Sequence, residues 1–146
     1  MRIMQPLCRL ANIKINKFSK DEIFILELFL TYHTYNAIKE FFKEQYKFYF
    51  HLIKVNKNMG DIMLESNLVR LIINDILSTG EYTLSGIAYD THIPSEIIYD
   101  ISAGINTDPS LSVSRKIMQT HQYVRSDFYR KILNRIIEED IRFCPS

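Results

Sequence analysis

Lysine and arginine are missing from the middle of this chain. None occurs between Leu71 and Ser114, although Asp75, Glu81, Asp90, Glu96, Asp100 and Asp108 all fall there. Phosphates are attracted mainly by Lys and Arg, so this stretch alone is not expected to hold nucleic acid tightly. Glycine and proline are scarce as well, four of each in 146 residues, with the prolines near expected helix starts or the chain ends. Together with 47% hydrophobic residues, that scarcity points to an all-α protein with short connections, in one domain or two small ones. Cys8 and Cys144 share no metal-ligand spacing with each other or with a histidine, and are read as free thiols in a reducing cytoplasm. The longest apolar runs, such as IFILELFL at 23–30, are too short for a bilayer, and no membrane association is expected. Arg2 and Arg9 accompany no sustained apolar segment, so export is not expected and the localisation is taken as cytoplasmic. His33, His51, His92 and His121 are scattered, and neither a phosphate-binding glycine loop nor a nucleophile elbow occurs. The expectation is a non-enzyme with no catalytic residue, no metal and no cofactor.

What is present is polarised. Residues 1–60 hold ten basic and five acidic groups, whereas residues 61–146 hold eight and twelve, so the net charge of +1 conceals two halves of opposite sign. The first eighteen residues carry no strong period and read as an arm. Ser19-Lys20-Asp21-Glu22 is a capping box. The helix it opens has Ile23, Phe24, Ile25, Leu26, Leu28, Phe29 and Leu30 nearly all round it, which requires burial in a core or a subunit interface. TYHTY at 31–35 reads as a polar break before a second, aromatic-rich segment from Asn36 to about Val55. KNMGD at 57–61 is the expected boundary between an N-terminal helical module, 1–60, and a second domain, 61–146. From Ile62, Leu64, Leu68, Leu71, Ile72 and Ile76 recur at helical spacing until Thr79-Gly80. From about Gln122 to Ile141 a last amphipathic helix carries Val124, Phe128, Ile132, Leu133, Ile136, Ile137 and Ile141. It is able to dock on the preceding core or pair with its copy.

Between these lies TLSGIAYDTHIPSEIIYDISAGINTDP, residues 83–109. Ile87, Ala88, Ile93, Ile98 and Ile101 supply the apolar offsets that two short crossed helices need. Thr83 is placed to cap the first helix, Pro94 to start the second and Gly104 to end it, with His92 at the turn. Asp108-Pro109 reads as an N-cap and first residue of a further helix bearing Leu111, Val113, Ile117 and Met118. This order resembles the helix-turn-helix of lambda-repressor/Cro-type (XRE-class) domains over roughly residues 62–121, including Gly104-Ile105-Asn106. It departs at Leu84, where the family commonly has a phosphate-contacting Gln, and at His92, where it commonly has Gly.

The resemblance implies a lambda-repressor-like bundle and a transcriptional regulator that binds double-stranded DNA, as a homodimer, with Pro94 to Ala103 as recognition helix. It further implies Ser95, Glu96 and Tyr99 facing base edges and Asn106 contacting phosphate. Arg115 and Lys116, with Arg125, are the expected source of further phosphate contacts, or else the basic N-terminal half. The rival expectation, motivated by the acidic stretch, is a protein-interaction module that kept the fold and lost DNA binding.

The N-terminal half faintly resembles a homeodomain-like helix-turn-helix over Leu28 to Ile53, with Lys43, Lys47, Lys54 and Lys57 as its cations. Glu44 stands there where an apolar residue is wanted, and Lys43 where the turn Gly is. A helical dimerisation or packing module is the preferred reading. Tyr46, Phe48, Tyr49 and Phe50, interleaved with Lys47 and His51, could stack bases of a single strand. At helical spacing they are instead expected to fill a core.

Overall fold

The computed structural model describes residues 6–140 and contains helices but no strand among them. Eight α-helices follow in order: α1 (Pro6–Leu10), α2 (Lys20–Gln45), α3 (Lys47–Leu52), α4 (Lys57–Ser78), α5 (Leu84–Thr91), α6 (Ser95–Ser102), α7 (Leu111–Val124) and α8 (Ser126–Asp140). A single 3₁₀ turn, Ile15–Lys17, precedes α2. The protein is all-α, as its composition predicts. Two compact units are present, one formed by residues 1–38 with 125–146 and the other by 39–124.

In the first unit, the described part of the stretch expected to be an arm carries a short helix, Pro6–Leu10, and a 3₁₀ turn, Ile15–Lys17. Leu7 and Cys8 are buried, and the Glu27 carboxylate of α2 accepts the backbone N–H groups of both, at 3.0 and 3.1 Å. A five-residue helix is too short to persist alone. The carboxylate satisfies donors that its own first turn cannot. Helix α8 packs against α1 and buries Tyr129, Ile132, Leu133 and Ile136. The expected terminal helix is thus real, but it begins at Ser126 and is separate from α7; Ile141 lies outside the described residues.

The capping box forms as written: Glu22 N–H donates to Ser19 Oγ at 3.2 Å, and Ser19 N–H to Glu22 Oε1 at 2.9 Å. The helix that follows does not stop at TYHTY. It runs on to Gln45, because none of those five residues is Gly or Pro and the Thr31 hydroxyl bonds back to the Glu27 carbonyl at 2.7 Å inside the helix. Lys43, expected at a turn between helices, lies in the last turn of α2, and no break separates Leu30 from Tyr35. Of the apolar residues at its start, Ile23, Leu26 and Leu30 are buried, while Phe24, Ile25 and Leu28 are exposed.

Cys8 is fully buried beside Glu27, and burial, the bond to Glu27 and that carboxylate's charge push its thiol up to about 12 from 9.0. Alkylation needs the thiolate. At pH 8 the peptide carrying Cys8 is expected to stay unmodified by iodoacetamide in the native protein and to react fully in denaturant, as read by mass spectrometry; native-state labelling at the denatured rate would contradict this burial. The linkage has one sign: stability is fully present below pH 9 and falls as pH rises toward 12, because the unfolded chain ionises first. Cys144 lies outside the described residues.

In the second unit, the end of α2 lies along α4. Lys39 reaches Glu65 at 2.8 Å and Lys43 reaches Asp61 at 3.0 Å, and the Lys43 bond holds the Asp61 carboxyl below its usual range. The polar run at 57–61 is the first turn of α4, capped by Asn56, whose side chain accepts from Met59 N–H. Helix α4 buries Leu64, Leu68, Ile72, Ile73 and Ile76 and packs on α6 and α7. Ile87, Ile98, Ile101 and Ile117 are at most 1% exposed, so each contributes on the order of 2–3 kcal/mol of apolar burial. Between α4 and α7, His121 Nε2 lies 2.7 Å from Asp75 Oδ2, with both side chains buried. The aromatic run at 46–50 does not fill this core: Phe48 and Tyr49 are exposed and only Tyr46 and Phe50 are half-buried.

Candidate nucleic-acid interface

Helices α5 and α6 are built from strictly local signals. Thr83 Oγ1 accepts Gly86 N–H at 3.0 Å and starts α5. Its exit is His92, at φ 57°, a left-handed position that His tolerates better than a branched residue. Ile93 then turns into the core, and Pro94 precedes α6. The two eight-residue helices pack on each other, and α7 packs on α5. Gly104, at φ 78°, closes the pair, with the N–H groups of Ile105 and Asn106 both donating to the Asp100 carbonyl.

This framework divides α6 cleanly. Ile98 and Ile101 face the core, while Ser95, Glu96, Tyr99 and Asp100 are exposed. The three residues expected at base edges therefore share the outward face. Tyr99 is not wholly free, since its hydroxyl lies 3.2 Å from Ser85 Oγ at the start of α5.

The expected phosphate contacts are more dispersed. Asn106 sits half-buried in the loop after α6, where its Oδ1 accepts Asp108 N–H at 3.1 Å in an Asx turn and its amide NH₂ keeps its donors. That turn carries the loop two residues further than expected. Ser110, not Asp108, caps α7, its Oγ accepting Val113 N–H at 3.1 Å. Arg115 is exposed on the first turns of α7. Lys116 is half-buried in a shallow depression with Asp90, Thr91, His92, Gln119 and Tyr123, beside the turn between α5 and α6. Arg125 belongs to the other unit.

One cation that touches α6 was not anticipated. Arg70 Nε donates to the Ser102 carbonyl at 3.0 Å, and its guanidinium lies over Gly104. A positive group at a helix C-terminus complements the orphan carbonyls and the dipole. The signal available in the sequence was that Arg70 is the last cation before the gap. Asp75 and His121 escaped notice too, because a pair 46 residues apart has no local signature.

Among the described residues no group of His, Cys, Asp and Glu could hold a metal ion, and no helix is long and apolar enough to cross a membrane. No family model, no curated protein and no solved structure matches the chain.

Proposed function

We propose that the chain is a sequence-specific DNA-binding transcriptional regulator that reads duplex DNA with α6 and works as a homodimer. The observation that supports this most is the division of α6 into a buried face, Ile98 and Ile101, and an exposed polar face, Ser95, Glu96 and Tyr99, on a helix held by a short turn. A helix so presented has the dimensions of the major groove. There Ser95 can contact several bases, Glu96 can accept from cytosine N4, and the Tyr99 hydroxyl can donate or accept. Asn106, Arg115 and Lys116 supply the phosphate contacts, and two copies read two half-sites.

The first test is binding to random-sequence duplex DNA across a salt series, where the proposal expects affinity to fall steeply as salt rises. Once a preferred site is selected, Ser95→Ala with Tyr99→Ala is expected to lower discrimination between matched and mismatched sites on the order of tenfold per lost contact, without unfolding. Unchanged discrimination would remove both residues from the readout.

A second reading is carried by one specific observation. Glu96 and Asp100 are exposed on the same helix, and no Lys or Arg from 71 to 114 offsets them. That surface suits a basic protein partner, and the module would then be an adaptor that does not bind DNA. Absence of duplex binding even at low salt selects this alternative.

A further inference from the structure

Helix α3 buries no residue, yet it is mostly apolar. Phe48, Tyr49, Leu52 and Ile53 are 68%, 59%, 65% and 62% exposed. The first turns of α4 add Met59, Ile62 and Met63, also exposed. The two segments adjoin: a Cβ built on Gly60 of α4 would meet the Phe50 ring at 3.6 Å and Val55 Cγ1 at 3.7 Å. Left-handed Lys54, at φ 57°, folds the connection so that Val55 N–H donates to the Phe50 carbonyl at 2.8 Å. Taking a large side chain at roughly 200 Å², these seven residues leave on the order of 700 Å² of apolar surface in water. A monomer seldom exposes more than a few hundred Å² in one patch. A stable interface buries about 800 Å² on each partner.

We infer that α3 and the start of α4 form a two-fold interface with a second copy of this chain. The area matches what a stable dimer needs. The charges around it suit this occupant: Lys43 reaches Glu40 at 3.9 Å and Asp61 at 3.0 Å, Lys47 reaches Glu44 at 4.0 Å, and Lys54 and Lys57 follow in sequence, a rim of both signs. A two-fold axis brings one patch onto its own copy, so each sign can meet its opposite. The choice of a second copy rests in addition on the DNA reading, since the interface and α6 lie in the same unit and a dimer through α3 fixes the spacing of the two recognition helices.

Sedimentation velocity of the full chain without DNA, over micromolar concentrations, tests this. The wild type is expected to dimerise, and Phe48→Glu with Leu52→Glu is expected to raise the dimer Kd on the order of 100-fold. Ile53→Lys, made separately, should act in the same direction. Neither variant changes a buried side chain, so helical content should hold, and any fall in Tm should be no more than the loss of self-association itself accounts for. Tyr89→Ser, at an 85% exposed tyrosine on α5, should leave the dimer intact. A wild type that stays monomeric, or variants that still dimerise, overturns the inference. So does a monomer that cosediments with phosphatidylserine vesicles and loses that binding in the Phe48/Leu52 variant, which would assign the face to lipid. Because no DNA is present, a dimer that fails to bind duplex DNA would sink the DNA reading and leave the interface standing.

Discussion

Replacing His121 by alanine is expected to destabilise the protein by about 3–5 kcal/mol, the range found when one member of a buried polar pair is removed. For a chain of this length that lowers Tm on the order of 10 °C. His121 is 1% exposed and the Asp75 side chain 8%, and the 2.7 Å contact between them joins α4 to α7. Without the imidazole, the Asp75 carboxylate loses a partner in a place with little access to water, and its remaining contacts must carry it. Asp75→Asn keeps an acceptor of similar shape and is expected to cost less. Asp75→Leu together with His121→Leu removes both members of the contact and should recover part of the loss, since no buried carboxylate is left behind. Urea denaturation of the four proteins reads these differences. A loss below about 0.5 kcal/mol for His121→Ala, the size of an ordinary surface change, would mean the pair is not structural.

The second large effect is expected at Gly104, and Gly80 provides its internal control. Both have positive φ, 78° and 77°, so alanine at either costs on the order of 1–2 kcal/mol of backbone strain. Their surroundings differ. Nothing lies within 4 Å of a Cβ at Gly80, whereas at Gly104 it would come to 2.9 Å from Arg70 Nη1. The guanidinium must shift, and its bond to the Ser102 carbonyl is lost or weakened. Gly104→Ala is therefore expected to be worse than Gly80→Ala by about 1 kcal/mol, the worth of one hydrogen bond. Equal losses would show that Arg70 does not hold the end of α6. Arg70→Ala in the Gly104→Ala background should then cost little more, because both changes disrupt the same contact.

Features whose cause lies within four residues were legible in the sequence. The capping box at Ser19 and Glu22, the Thr83 cap, left-handed His92, Gly80 and Gly104, and the inward placement of Ile87, Ile98 and Ile101 all follow from local hydrogen bonding, φ preference and helical period. The all-α class followed from composition. Features that depend on a distant partner were not legible. Helix α1 is held because Glu27, about twenty residues on, accepts the N–H groups of Leu7 and Cys8. The break at TYHTY was inferred from polarity, but polarity without Gly or Pro does not end a helix whose hydroxyls can bond back along it. Aromatic side chains favour burial, which points the aromatics of α3 to a core, and the sequence does not say that Phe48 and Tyr49 stay exposed among the described residues. The candidate interface divides in the same way. Ser95, Glu96 and Tyr99 are outward by period alone. The position of Lys116 beside His92 and Asp90, and the grip of Arg70 on the end of α6, required the tertiary fold.

Three fastenings act on α6: its turn is set by His92, its outward tyrosine meets Ser85, and its Ser102 carbonyl meets Arg70. The rotational and side-chain freedom that a loose helix would surrender on docking has here been surrendered during folding. For the docking proposed for α6, less of the helix's own ordering entropy is left to lose, and the remaining cost is that of overall translation and rotation and of its exposed side chains.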